Sequence, residues 1–350
     1  ADPSRDAALT RELAAGYQQI AEAKNYALAA NLGDAAGANQ NHEQALQLMA
    51  PLARRDGAAP EDLAMLANVA LSYSVSQLEQ GKVARAAELN REGIALRRRL
   101  AELAPANADR RRDLLAAESY MANVLNELDD LPGALAANEA VHAGFRQLVK
   151  EEPKSARNRW GHICGYSNTA AMLIHLGNDA AAIPRLQRAI ELADELSVDK
   201  PDHYSILTGY GHYHQLQGEI ALRAGDLAGA RRALDQALQF RRGLVARDAK
   251  DFEAGINLAA TQAKLAVLSE RQGNGAAAAA RREARRLLKS LLQERPASRR
   301  AQVAWVELLA ESPDCRDRTE AQATLDKLRA TYPELASLKR MRVADCKGRA

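Results

Sequence analysis

Three cysteines and seven histidines are the side chains of this 350-residue chain most apt to bind metal or attack a substrate, and their spacing supports little of either. Cys164, Cys315 and Cys346 include no Cys-x-x-Cys pair, so neither a thiolate metal cage nor a dithiol motif is written here. Cys164 follows Ile163 within a helical stretch, where a thiol is expected to be buried and inert. Cys315 and Cys346 fall in polar sequence near the C-terminus. In an oxidising compartment such as the periplasm they join in one disulfide that staples the end of the fold; in a reducing one they remain thiols. His212 and His214 are two apart among Tyr204, Tyr210 and Tyr213, a spacing that on a helix points the rings in different directions. No metal and no cofactor is expected there. His-Glu-x-x-His, Gly-x-Ser-x-Gly and phosphate-loop patterns do not occur, and the acids form no facing pair, so no enzyme is expected.

Composition narrows the class further. Alanine dominates an apolar share of 47%, and aromatics supply only 4%, a mixture that favours helices over sandwiches or barrels. Lys and Arg number 48 against 45 acids, a balance too even for a nucleic-acid binder. Basic runs at 97–99, 110–112 and 281–286 lie at helix ends with acids close by, and no aromatic residues alternate with them for base stacking. No apolar run reaches the ~18 residues that would span a bilayer, so no membrane insertion is expected of this chain. Ala1 is not followed by a charged and then apolar leader, which marks a processed chain or a piece of a longer one.

A repeat organises the rest. Gly33, Gly81, Asp129, Gly177, Gly225 and Gly273 stand 48 residues apart, each followed by Asp, Lys or Asn. These types end a helix in a left-handed conformation and cap the next. Five residues after each anchor comes Ala38, Ala86, Ala134, Ala182, Ala230 or Ala278; nineteen after comes Leu52, Leu100, Leu148, Leu196, Leu244 or Leu292. At ordinary leucine usage, six in a row has a chance of about one in a million, so the period is real. Seven before the anchor the column reads Tyr26, Ser74, Ala122, Ala170, Gly218 and Ala266. Small residues at two facing positions predict a pair of closely packed antiparallel helices per repeat. Pro105, Pro153, Pro201 and Pro296, the last one residue early, end the second helices.

Gly218, Gly225-Asp226-Leu227, Ala230 and Ala237 stand as the signature residues of tetratricopeptide repeats do, and the array over roughly residues 7–295 resembles that family, with 48 residues in place of ~34. The extra length is expected in both helices and links. Ala1-Asp2-Pro3, Arg11-Glu12-Leu13, the stretch 30–38 and the recurring Leu-x-Gly-Asp turn further resemble the helical repeats that follow the kinase domain of large bacterial serine/threonine protein kinases. No kinase motif is present, so none of that chemistry transfers.

The resemblance implies an all-α, right-handed superhelical solenoid of about six helix pairs over residues 1–297. A degenerate repeat and cap over 298–350 would use helices at 302–309, 318–331 and 334–343. It also implies a groove lined by first helices, where a peptide or protein segment lies. Copy by copy, its residues are Asn68, Ser72, Tyr120, Asn123, Asn168, His212, Gln215 and Glu219. Amides suit an extended backbone, or they bridge neighbouring helices. The family's Lys and Asn clamp is not evident, since Lys24 and Lys264 are at opposite ends. The function implied is a non-catalytic interaction scaffold attached to a signalling kinase, periplasmic if a membrane span is included and cytoplasmic otherwise. The alternatives are a homodimerisation module, or a small-molecule sensor where Tyr166, His175, Tyr204, Tyr210, His212 and Tyr213 gather.

Overall fold

The computed structural model describes residues 6–25, 32–199, 203–273 and 275–346, and every regular element among them is an α-helix. The first helices of the repeats are α1 (Ala7–Lys24), α3 (Pro60–Glu79), α5 (Ala108–Glu127), α7 (Ala156–His175), α9 (Tyr204–Ala224) and α11 (Phe252–Arg271). The second helices are α2 (Ala35–Ala53), α4 (Val83–Leu103), α6 (Leu131–Glu151), α8 (Asp179–Ser197), α10 (Leu227–Arg247) and α12 (Ala276–Glu294). The cap comprises α13 (Arg299–Ala310), α14 (Cys315–Thr331) and α15 (Ala336–Arg340). Its first two helices start three residues earlier than expected, because Ser298 and Asp314 cap them. The last is five residues long, against ten expected. Two compact units emerge, residues 1–161 with 334–336 and residues 162–333 with 337–350.

The turn column behaves as its residue types require. Gly33, Gly81, Gly177, Gly225 and Gly273 all have φ between 65° and 77°. Asp129, at 66°, is the one non-glycine residue with positive φ among the described residues. Directly afterwards Asp34, Asp130, Asn178 and Asp226 accept from the backbone N–H three residues on, which satisfies an otherwise orphaned helix donor. Helices α4, α6 and α12 end two residues before Pro105, Pro153 and Pro296, where the residue preceding a proline leaves the helical region. In the second repeat, helices of 20 and 21 residues flank a turn at 80–82, and a four-residue link follows. In that repeat the added length sits in the helices and not in the link, against the expectation that both would grow, whereas the link after α2 runs over 54–59.

Packing explains the alanine columns. Ala38, Ala86, Ala134, Ala182 and Ala230 have no exposed surface, and Ser74, Ala122, Ala170 and Ala266 are buried opposite. The Ser74 hydroxyl donates to the Ala86 carbonyl at 2.8 Å, so the two columns meet backbone to side chain. A Cβ at Gly218 would stand 2.7 Å from Leu234 and 3.6 Å from the Ala230 carbonyl. Tyr26 and Asn274 lie outside the described residues.

The last copy departs from the column. Ala278 is exposed, and the buried stripe of α12 is Ala284, Leu288 and Leu291. Ala284 and Leu291 keep the seven-residue spacing but fall one place earlier than in other repeats, as does Pro296. The stripe has slipped by one residue, so Leu291 and not Leu292 is the sealing leucine.

Two polar features lie in the first unit's core. Asp62 is fully buried and held by Arg11 at 2.6 Å and Arg55 at 3.2 Å. His42 is fully buried, stacked on Tyr73 with 4.9 Å between centroids, and neither ring nitrogen has a hydrogen-bond partner. Desolvation lowers its pKa to about 4, so the unfolded chain binds a proton between pH 4 and 6.5 that the folded chain refuses. Stability should therefore be full above pH 7 and fall as the pH drops through this window. Denaturant unfolding of the first unit should lose about 2 to 3 kcal/mol between pH 7.5 and 4.5 through this group alone. His42→Phe should flatten that part of the profile, and an unchanged profile would show that His42 is not its source.

Candidate ligand-binding face

Helices that touch their counterparts in neighbouring repeats define one layer in each unit. In the first unit α1 meets α3 and α3 meets α5; in the second α9 meets α11 and α11 meets α13. Every groove residue expected from the sequence is on this first-helix series, with Asn68, Ser72, Tyr120 and Asn123 in the first unit and Asn168, His212, Gln215 and Glu219 in the second.

Several of these side chains belong to the framework. Ser72 is buried and donates to Glu22 of α1 at 2.8 Å. Asn68 is exposed and accepts from Arg97 of α4. Tyr120 is half-buried with an interaction of its own. Asn123 and Asn168 carry exposed amides. The basic runs are also spent on structure: Arg98 pairs with Glu118, Arg111 with Glu151, and Arg281 with Glu270.

The richest arrangement is centred on α9. His212, Gln215 and Glu219 share one stripe, the first and last two turns or ~10 Å apart. Arg241 reaches them from α10 past Gly211, where a Cβ would stand 3.1 Å from the arginine Cγ. Its Nη1 donates to Gln215 Oε1 at 2.5 Å, to the Asn257 carbonyl at 2.5 Å and to the Thr261 hydroxyl. Gln215 Nε2 in turn donates to Glu219 Oε1 at 2.9 Å, and Lys264 Nζ lies 3.6 Å from the same oxygen. Against the desolvation that opposes it, Glu219, Glu307 and Glu311 raise the Lys264 ammonium above its ordinary value. Desolvation raises the carboxyl of Glu307, the Lys264 charge opposes that rise, and the Glu219 charge adds to it.

Two recesses flank this relay. One of about 250 Å³ is lined by Glu219, Arg223, Lys264, Arg271, Glu307 and Glu311 with apolar neighbours, a mixed-charge wall. The other, about 200 Å³, is lined by Thr208, His212, Arg241, Leu244, Ala254, Asn257 and Arg300 and has no acid in its wall. His212 there is exposed to solvent, and desolvation and then the charge of Arg241 act to lower its pKa. A third cavity, about 410 Å³ and largely apolar, lies between α8, α9 and α10.

The aromatic cluster expected to line a small-molecule pocket does not do so as a group. Tyr210 stacks on Phe240 at 4.8 Å and donates to Asp194, Tyr213 is buried, and Tyr204 donates to Asp251. Of that cluster, only His212 lines one of these three cavities. Sequence reasoning passed over Arg241, although a signal was present. Sixteen residues past the turn stand Met49, Arg97, Phe145, Ala193, Arg241 and Lys289, and Arg241 is the cation of that column that is buried. Lys264, set aside for its distance from Lys24, is paired instead with Glu219.

Cys315 and Cys346 form a disulfide with 5.4 Å between Cα atoms, and Cys164 is the free thiol, half-buried and raised to about 12 by desolvation. Among the described residues no cluster of His, Cys, Asp or Glu with metal-ligand spacing occurs, and no helix is long and apolar enough to cross a membrane.

No family model matches the sequence, and no curated protein matches it. Solved structures do. BtubC (BKLC) from P. vanneervenii superposes with a TM-score of 0.54 at 17% identity over 72% of this chain and 90% of that one. The chain is an all-α helical solenoid. A tetratricopeptide repeat protein from Parabacteroides merdae matches 95% of this chain and 99% of its own, with a TM-score of 0.45 and 15% identity.

The disulfide closes a 31-residue separation, and its loss should cost about 3 to 4 kcal/mol on chain-entropy grounds. Under reductant, or in Cys346→Ser, the amides of α14 should exchange markedly faster with deuterium while those of α9 and α10 keep their protection. Unchanged α14 exchange would mean that packing alone holds the cap.

Proposed function

We propose that this chain is a non-catalytic protein-interaction scaffold that holds a peptide or protein segment against its first-helix layer. The observation that supports this reading most is the placement of accessible amides and of the Gln215–Glu219–Lys264 relay on first helices whose other faces are alanine and leucine core. Amides there can donate to and accept from an extended backbone, and the relay offers both charges to a partner's side chains. The finer reading is that the scaffold is the docking or sensing region of a bacterial signalling kinase, on the oxidising side of a membrane. The kinase part rests on the sequence resemblance alone. The compartment draws support from the Cys315–Cys346 bond, which persists where thiols are not kept reduced.

Photo-crosslinking tests the face directly. A photoreactive residue at Asn123 or Asn168 should give partner adducts in native extract, whereas one at Glu139 of α6 or Arg188 of α8 should give few or none. Adducts of equal yield from first and second helices would overturn the assignment.

A further inference from the structure

The array holds an arginine in the same column twice, and the charges around the two copies differ. Arg97 and Arg241 occupy the same column, three periods of 48 residues apart, and so do Asn68 and His212, Leu100 and Leu244, and Asp113 and Asn257. In the earlier copy Arg97 Nη1 pairs with the Asp113 carboxylate at 3.1 Å. In the later copy the equivalent of Asp113 is Asn257, and Arg241 has no ion pair among the described residues.

Arg241 is 94% buried by the measure of its 6% exposure, and all its hydrogen bonds use Nη1. Its Nε and Nη2 carry no hydrogen bond to the described residues. A buried guanidinium whose nearest acid, Glu219, acts on it only from beyond ion-pair distance is an expensive arrangement, and unused N–H donors suit the oxygens of an oxyanion.

Space is provided as well. In the earlier copy Arg110 Nη1 donates to the carbonyl of Leu100, the equivalent of Leu244 in the recess wall, at 3.1 Å. The equivalent of Arg110 in the later copy is Ala254, which lines the 200 Å³ recess. Arg300, paired with Glu253 at 2.5 Å, adds a second guanidinium to the wall, and Asn257 and Thr208 add neutral polar groups.

The geometry points to a small-oxyanion site in this recess, in which a carboxylate or phosphate group sits against Arg241 where the Asp113 carboxylate sits against Arg97. The site does not depend on a segment lying along the first-helix layer, and it assigns a ligand class to a recess that the scaffold reading leaves open.

Asn257→Asp is the decisive variant, because it restores the charge pair that the same fold already accommodates at Arg97 and Asp113. The full-length chain is titrated with sodium succinate, with inorganic phosphate and with a polyglutamate peptide, each against sodium chloride at equal ionic strength. Calorimetry and the melting midpoint supply the readouts. The wild type should bind at least one probe and gain in midpoint with its concentration. Asn257→Asp should bind at least about tenfold more weakly and melt higher without ligand, and Arg300→Gln should weaken binding with the fold intact. A response to succinate or phosphate names a free acid, and one confined to the peptide names an acidic side chain; either supports the site. No response beyond that to sodium chloride, or an equal response in wild type and Asn257→Asp, would overturn it.

Discussion

The close approach of two helices across a seam of small residues is the constraint on which the structure depends. Ala86 and Ala230 are fully buried because Ser74 and Gly218 face them, and any added methyl group at Gly218 meets Leu234 at 2.7 Å. Close packing of this kind yields dispersion and burial at little cost in side-chain entropy, since alanine and glycine have no rotamers to lose. It also fixes the rotation of each helix about its axis. Once the seam is set, the leucine nineteen residues past the turn must seal the pair, and the opposite stripe of the first helix must face outward to solvent.

Charge then joins pair to pair. Arg98 of α4 pairs with Glu118 of α5, and Arg285 of α12 with Asp317 of α14, so acids on one helix hold arginines from another. These surface pairs add little stability one by one. Their consequence is that Arg97, Arg98, Arg111, Arg112, Arg281 and Arg285 of the basic runs are held by acids. Arg241, buried from α10, has no carboxylate within ion-pair distance among the described residues, and the position that holds Asp113 opposite Arg97 is Asn257 there.

Much of this was legible in the residues. Glycine at a fixed interval marks left-handed turns, and Asp129 shows that aspartate serves where glycine is lacking. The alanine and leucine columns gave helix pairing and direction. The slip in α12 is marked by Pro296 and by Arg285 at a position that is otherwise small or apolar, while Ala278 and Leu292 keep the column of residue types unbroken. Sequence spacing does not reveal which of two adjacent residues is buried when a turn changes by one. The residues expected to line a groove lie on first helices, and their partners come from first helices, as Glu22 and Lys264 do, and from second helices, as Arg97 and Arg241 do. A column read one helix at a time does not show that Arg241 crosses to Gln215, or that Asn68 is held by Arg97.

The seam is tested most directly by placing leucine in the same sequence column twice, at Ala230 and at Ala278. The first has no exposed surface and the second faces solvent, so burial and not sequence position decides the outcome. Chemical denaturation should show Ala230→Leu destabilised by about 2 to 3 kcal/mol through overpacking, with Ala278→Leu within about 0.5 kcal/mol of the wild type. Equal effects at the two positions, or tolerance of leucine at 230, would contradict the account.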